Sequence, residues 1–220
     1  MIEILMTSLN ARNNSTFHHS WRVAEISKLI ASSMNLSDNI IELTHLSAYL
    51  HDIGKIGTPD SILNKPGRLQ KDEFLEIQKH PVIGYRILNK IPNFNSVANI
   101  VLHHHERYDG QGYPDELKEN EIPLISRIIS VADAFDAITS NRSYRKAKSY
   151  NYAYREINDH VYSQFCPVVI KHFNNIFDLI PNVIENVEKD INGDISIDNR
   201  WHRKINEVEH NELIHSKKII

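Results

Sequence analysis

Ile122-Pro123-Leu124-Ile125-Ser126-Arg127-Ile128-Ile129-Ser130-Val131-Ala132-Asp133-Ala134-Phe135-Asp136-Ala137-Ile138-Thr139-Ser140 decides how the chain is read. Ile125, Ile128, Ile129, Ala132 and Phe135 recur at helical spacing, which predicts a helix over residues 122–140 with one face in a core. Asp133 lies on or beside that apolar face. A carboxylate buried without a partner is costly. Its place there calls for a metal ion, an arginine such as Arg127 or Arg142, or a capping bond from another element.

The flanking sequence is also helical in pattern. Phe17, Trp21 and Ala24, with Val23, Ile26 and Ile30, predict a helix over residues 17–34. Ser37 or Asp38 caps a second, which runs to about His51. Gly54, Gly57 and Pro59 then break the pattern, and Lys65-Pro66-Gly67-Arg68 reads as a turn. Residues 71–90 are periodic but carry Pro81, so two short helices meet at His80. A helix over 96–106 leads into the turn-rich stretch from Tyr108 to Pro114. Further helices are expected over 150–160 and 167–189. No alternating strand of useful length and no internal repeat is present. The expected class is all-α: a short N-terminal segment at 1–14, a domain at 15–189 and a polar appendage at 190–220.

Composition narrows the function. The 220 residues carry 25 basic and 28 acidic side chains, a formal charge of −3. That argues against a partner such as duplex nucleic acid, which needs a basic footprint. The single Cys166 rules out both a disulfide within the chain and a cysteine-ligated zinc site. No apolar run approaches the roughly 18 residues of a membrane helix, and the first residues lack the positive start of a signal peptide. A cytoplasmic setting is expected.

There are 13 histidines, and six of the seven glycines fall between Gly54 and Gly112. His51-Asp52 stands at a predicted helix end, followed by Gly54 and Lys55. His19 precedes it; His80, the pair His104-His105 and Asp133 follow. Neighbouring helix residues point about 100° apart. His104 and His105 therefore serve one centre only if the helix ends there or the centre holds more than one ion. Seven candidate ligands exceed what one ion with an open position needs. Two ions sharing a carboxylate, with Asp52 as the natural bridge, would use them. Nitrogen and oxygen donors suit iron, manganese, zinc or nickel. His18, His45, His103, His160, His172, His202, His210 and His215 fit no ligand pattern; His18 is an alternative to His19, but His19 is followed at three residues by Arg22.

The ordered set His19-Ser-Trp-Arg-Val, His51-Asp-Ile-Gly-Lys, Lys65-Pro-Gly, His80-Pro, His104-His-Glu-Arg-Tyr-Asp-Gly-Gln-Gly-Tyr-Pro114 and the run from Ile128 to Arg145 resembles the HD-GYP family. This is a bacterial branch of the HD-superfamily of metal-dependent phosphohydrolases. The likeness covers about residues 15–170. It implies an HD-superfamily helical bundle around a central binuclear metal site. It implies an enzyme, a cyclic-guanylate-specific phosphodiesterase that hydrolyses cyclic di-GMP to linear pGpG and then GMP. The positions that carry over as metal ligands are His19, His51, Asp52, His80, His104, His105 and Asp133. Lys55 and Asp136 take catalytic roles, and Lys55, Tyr113, Arg142 and Arg145 contact substrate. The Gly112-Tyr113-Pro114 loop is implicated in contacts with a protein partner.

Two divalent ions, iron or manganese before zinc or nickel, would sit about 3.5–4 Å apart, hold the phosphoryl oxygens and turn a bridging water into the attacking hydroxide. The sequence departs from the family pattern at three points. Ser15 stands where three-metal members have Glu, so two ions are expected. Arg145 replaces the usual Lys, and Cys166 the usual Asp. Family members often carry a sensory domain upstream. Only about 15 residues precede the first motif, so little regulation within the chain is expected. Other readings are the same site acting on another cyclic dinucleotide or nucleotide phosphoester, and a weakly active module that binds cyclic di-GMP or a partner.

Overall fold

The computed structural model describes residues 2–141 and 146–192. Eleven helices follow one another among them: α1 (Ile2–Arg12), α2 (Asn14–Ser33), α3 (Asp38–Leu50), α4 (Asp60–Leu63), α5 (Lys71–Ile77), α6 (His80–Leu88), α7 (Asn95–Leu102), α8 (Leu124–Thr139), α9 (Tyr150–Asp159), α10 (Pro167–Ile176) and α11 (Ile180–Asn192). A 3-10 turn, Ile53–Gly57, joins α3 to α4. The β-structure among the described residues is one isolated bridge between Val161 and Phe165. The fold of the described residues is all-helical, as the periodicity predicts.

Helix α2 is the hub and packs against α1, α3, α8, α10 and α11. Asn13 caps it by accepting the Thr16 N–H at 2.8 Å. Phe17, Trp21, Val23, Ala24, Ile26, Ile30 and Ala31 are buried along it. Opposite lies α8, whose Ile125, Ile128, Ile129, Val131, Ala132 and Phe135 are buried in the same core. At about 1.5–3 kcal/mol per fully buried large side chain, this α2–α8 seam is a main stabilising contact. It is also where His19 and Asp133 face each other.

Several elements differ from the sequence expectation. Within the segment at 1–14, Ile2–Arg12 form α1, whose Met6 and Leu9 are buried. Its first residues offer no capping signal, and a helix of this length is held by tertiary packing rather than by its own propensity. The helix expected over 96–106 stops at Leu102. The single helix expected over 167–189 is interrupted by a 3-10 turn at Phe177–Leu179. Pro181 explains the break, since it has no N–H and its ring crowds the carbonyl four residues earlier. Two short helices do meet at His80, with Pro81 in the first turn of α6. Arg142, Arg145 and residues 193–220 lie outside the described residues, so the appendage at 190–220 is seen only where it completes α11. No helix among the described residues is long and apolar enough to cross a membrane.

Candidate metal centre

Helix ends supply most of the site. His51 closes α3 and Asp52 follows it, His80 opens α6, and His104 and His105 come directly after α7. His19 comes from within α2 and Asp133 from within α8. Three overlapping groups each hold ligand atoms within 4.8 Å of one another: His80, His104 and His105; His19, His51 and Asp133; His51, Asp52 and His104. All seven residues named from the sequence fall in these groups. The early end of α7 resolves the His104–His105 geometry: with the helix finished, both rings turn to one side, their centroids 4.1 Å apart.

Gly54 makes the convergence possible. A Cβ there would lie 1.9 Å from the His80 carbonyl oxygen and 2.6 Å from Gly84 N. Only glycine lets the turn after Asp52 lie directly on the first turn of α6.

Three imidazoles are fixed by main chain. Nδ1–H of His51 donates to Ala48 O at 2.7 Å, that of His80 to Ile77 O at 2.8 Å and that of His104 to Val101 O at 2.6 Å. A carbonyl only accepts, so each neutral ring carries its lone pair on Nε2. His51 Nε2 is buried with no hydrogen-bond partner. His80 Nε2 and His104 Nε2 face each other at 3.2 Å. Burial pushes His80 down to about 3 and His105 down to about 4. The same desolvation holds His51 below and His104 well below the usual histidine value. Asp52 adds oxygens 3.3 Å from His80 Nε2 and 3.5 Å from His51 Nε2. Unshared lone pairs pointing at one another and at a carboxylate are an arrangement that a divalent cation fits.

The fourth imidazole is held by side chains. His19 Nδ1–H donates to Asp136 Oδ2 at 2.6 Å. Arg22 grips the same carboxylate with Nε at 2.6 Å and Nη2 at 3.0 Å, and Ser140 Oγ donates to it at 3.2 Å. His19 Nε2 lies 3.1 Å from Asp133 Oδ1 and 3.8 Å from Asp52 Oδ2. Burial opposes charge on His19, but Asp133 and Asp136 outweigh it and raise the ring to about 9. Burial likewise works against the carboxylates. His19 and Arg22 nevertheless hold Asp136 at about 2, and Asp133 is held well below its ordinary value, chiefly by His19. A carboxylate behind a histidine whose other nitrogen faces the centre is the usual outer support of a metal ligand.

The arginine partners that the sequence leaves open for Asp133 do not include Arg127, which reaches Asn120 Oδ1 at 2.8 Å and Cys166 Sγ at 3.5 Å. Arg22, the partner of Asp136, enters the sequence reading only as the residue that favours His19 over His18; its place one turn after His19 puts it on the same face of α2.

Around the centre, Lys55 Nζ lies 2.5 Å from Asp52 Oδ2. The turn that carries Lys55 is tied to α1 by Arg12, whose guanidinium donates to Ile56 O, to Thr58 O at 2.6 Å and to Asp60 Oδ1 at 2.8 Å. Arg12 is absent from the sequence reading. Tyr113 stacks on His105, centroids 5.0 Å apart and rings 28° from parallel. Burial, and then Asp133 and Asp52, push its hydroxyl above the ordinary tyrosine value. Its loop folds back on Glu106, which accepts the Asp115 N–H at 2.8 Å. A Cβ at Gly112 would lie 2.4 Å from Arg107 N. Ser15 is exposed, and its hydroxyl donates to Asn13 Oδ1 at 2.8 Å.

The family model for the HD domain matches residues 3–168. The chain is 43% identical over 175 residues to a cyclic di-GMP phosphodiesterase of Thermotoga maritima, covering 79% of this chain and 48% of that protein. It is 40% identical over 151 residues to 3′3′-cGAMP-specific phosphodiesterase 1 of Vibrio cholerae, covering 68% of this chain and 35% of that protein. The chain thus spans less than half the length of these curated relatives. A solved cyclic GMP-AMP specific phosphodiesterase of Vibrio cholerae superposes with a TM-score of 0.60 at 19% identity, over 86% of this chain and 48% of that one. At that identity the superposition speaks for the fold alone.

Proposed function

The chain belongs to the HD-domain family, and from that premise we propose that it is a metal-dependent cyclic dinucleotide phosphodiesterase of the HD-GYP type whose substrate is cyclic di-GMP. One observation carries the reading: buried imidazole lone pairs and the carboxylates of Asp52 and Asp133 are aimed at a common space. Divalent ions held there by His19, His51, Asp52, His80, His104, His105 and Asp133 would supply charge for the phosphoryl oxygens and an acidified water.

The residues divide the remaining work. Asp52 lies within reach of His19, His51 and His80, which suits it to the shared position between two ions. Lys55 holds its ammonium beside that carboxylate, where a phosphodiester would meet it. Both oxygens of Asp136 are taken by His19, Arg22 and Ser140, so it acts by positioning His19. Tyr113 closes the side over His105 and presents its loop to substrate or to a protein partner. Arg142 and Arg145 complete the expected phosphate contacts. Ser15 donates to Asn13, which agrees with two ions rather than three.

A second reading, cleavage of 3′3′-cGAMP, is favoured by the relatives named for that activity. One experiment separates the two. Purified protein supplied with Mn(II) or Fe(II) is mixed with each cyclic dinucleotide, and the products are resolved by chromatography. Linear pGpG and GMP from cyclic di-GMP, strongly reduced with Asp52→Ala, are expected. Cleavage of 3′3′-cGAMP alone would replace the first substrate with the second. No product from either would overturn the enzymatic reading, and three tightly bound ions per chain would overturn the two-ion count.

A further inference from the structure

Helices α2 and α8 each contribute two side chains, one turn apart, to a closed arrangement. His19 and Arg22 come from α2; Asp133 and Asp136 come from α8. His19 bridges both carboxylates, with Nε2 3.1 Å from Asp133 and Nδ1 2.6 Å from Asp136. Arg22 bonds Asp136 through two nitrogens and reaches Ser140 Oγ at 3.0 Å. Asp136 is buried, and the Arg22 side chain is 13% exposed. A two-point guanidinium contact fixes the plane of a carboxylate as well as its position. Asp136 in turn fixes the ring plane and tautomer of His19. His51, His80 and His104 need no such support, because main-chain carbonyls hold them.

We propose that Arg22 is a positioning residue that, through Asp136, governs retention of the ion shared by His19, His51 and Asp133, and leaves the ion at His80, His104 and His105 in place. This rests on the metal-binding half of the proposed function and not on the choice of substrate.

The test counts metal without substrate. Wild type, Arg22→Ala and Arg22→Lys are loaded with Mn(II) and dialysed against graded chelator. Manganese per chain is measured, and electron paramagnetic resonance distinguishes a coupled pair from an isolated ion. In wild type, two ions and a coupled signal are expected. In Arg22→Ala, one ion should be held at wild-type affinity and the other weakened roughly 10–100-fold, the range for loss of an outer support of a ligand, with the spectrum of an isolated ion. Arg22→Lys should recover part of the coupled signal, since it returns the charge but not the fork. If circular dichroism shows that Arg22→Ala does not fold, Asp136→Asn takes its place. It leaves an oxygen for His19 and removes the charge that Arg22 grips, and the same one-ion result is expected. A variant that keeps both ions at wild-type affinity, or loses both in step, overturns the proposal. A wild type that binds two ions yet cleaves no cyclic dinucleotide would defeat the assigned activity while leaving this metal count intact.

Discussion

The two sides of the centre are built from different materials. On one side, the chain's own carbonyls orient His51, His80 and His104, and burial keeps these rings neutral. On the other, Asp136 and Arg22 orient His19, and its ring carries a proton in the metal-free chain. The first side is set by helix geometry, and its anchors are main-chain carbonyls, which truncating a side chain does not delete. The second depends on Asp136, 117 positions from His19 in sequence, and on the Arg22 that grips it, and can be altered one side chain at a time. A binding site can thus combine a fixed half with an adjustable half, and each half should answer differently to pH and to mutation.

The harshest test erases the distinction by removing what the halves share. Asp52→Ala leaves Lys55 without its buried partner and takes an oxygen from both sides. Hydrolysis of cyclic di-GMP should fall roughly 10²–10⁴-fold, equivalent to about 3–5 kcal/mol of the several kcal/mol of transition-state charge stabilisation that bound ions supply. Steady-state assays with saturating Mn(II) measure it, and a loss under about tenfold would mean that Asp52 is not shared.

Removing metal tests whether both halves need a cation. Each bound ion at about 1,000 times its Kd stabilises by about 4 kcal/mol, so two independent ions give about 8 kcal/mol, roughly 16–32 °C in Tm for a chain of this size. Chelation should therefore lower Tm by about that amount, and Mn(II) should restore it in differential scanning calorimetry.

How much of this can be read without coordinates differs from residue to residue. His51-Asp52 and His104-His105 stand out because glycines and helix ends punctuate the chain beside them, and Asp133 because it interrupts an apolar helix. Those signals are local. Arg22 and Asp136 are separated by 114 positions and Arg12 and Asp60 by 48. Neither pair has a signature in a single sequence, since each exists only once α2 packs on α8 and α1 on the turn after Asp52. Helix α1 is hidden for the same reason: its apolar residues find their partners in the tertiary fold.

Protons sharpen the contrast. In the metal-free chain His19 titrates near about 9, so at pH 7 its Nε2 must release a proton before it can serve as a ligand, whereas His80 and His105 are already bare. Calorimetric titration of metal in buffers of different ionisation enthalpy should show about one proton released per chain at pH 7, with affinity rising up to tenfold per pH unit towards about 9. Release of none would place His19 with the neutral rings.

The stability of the chelated protein should bend both ways. The raised His19 contributes stability that is complete below the unfolded histidine value of about 6.5 and is lost as pH climbs through about 9. The lowered His80 and His105 act oppositely: as pH falls below about 6.5 the unfolded chain takes up protons that the folded chain refuses, down to about 3 and 4. Tm against pH should therefore peak near about 6.5 and decline on both sides, with Arg22→Ala affecting chiefly the alkaline limb.

The mildest prediction concerns Arg12, which lies outside both halves. Arg12→Ala removes charged hydrogen bonds to Ile56 O and Thr58 O at a partly exposed site. It should lower unfolding free energy by about 1–2 kcal/mol in urea titration and leave the number of bound ions unchanged.

Gly54 carries the last consequence. Because main chain rests on main chain where it meets His80, the gap between Asp52 and His80 behaves like a gauge block cut to one size. Drift in neighbouring side chains cannot widen it by small steps, and any residue larger than hydrogen at position 54 wedges it open at once. Adaptation to an ion of different radius has to come from the α2–α8 seam.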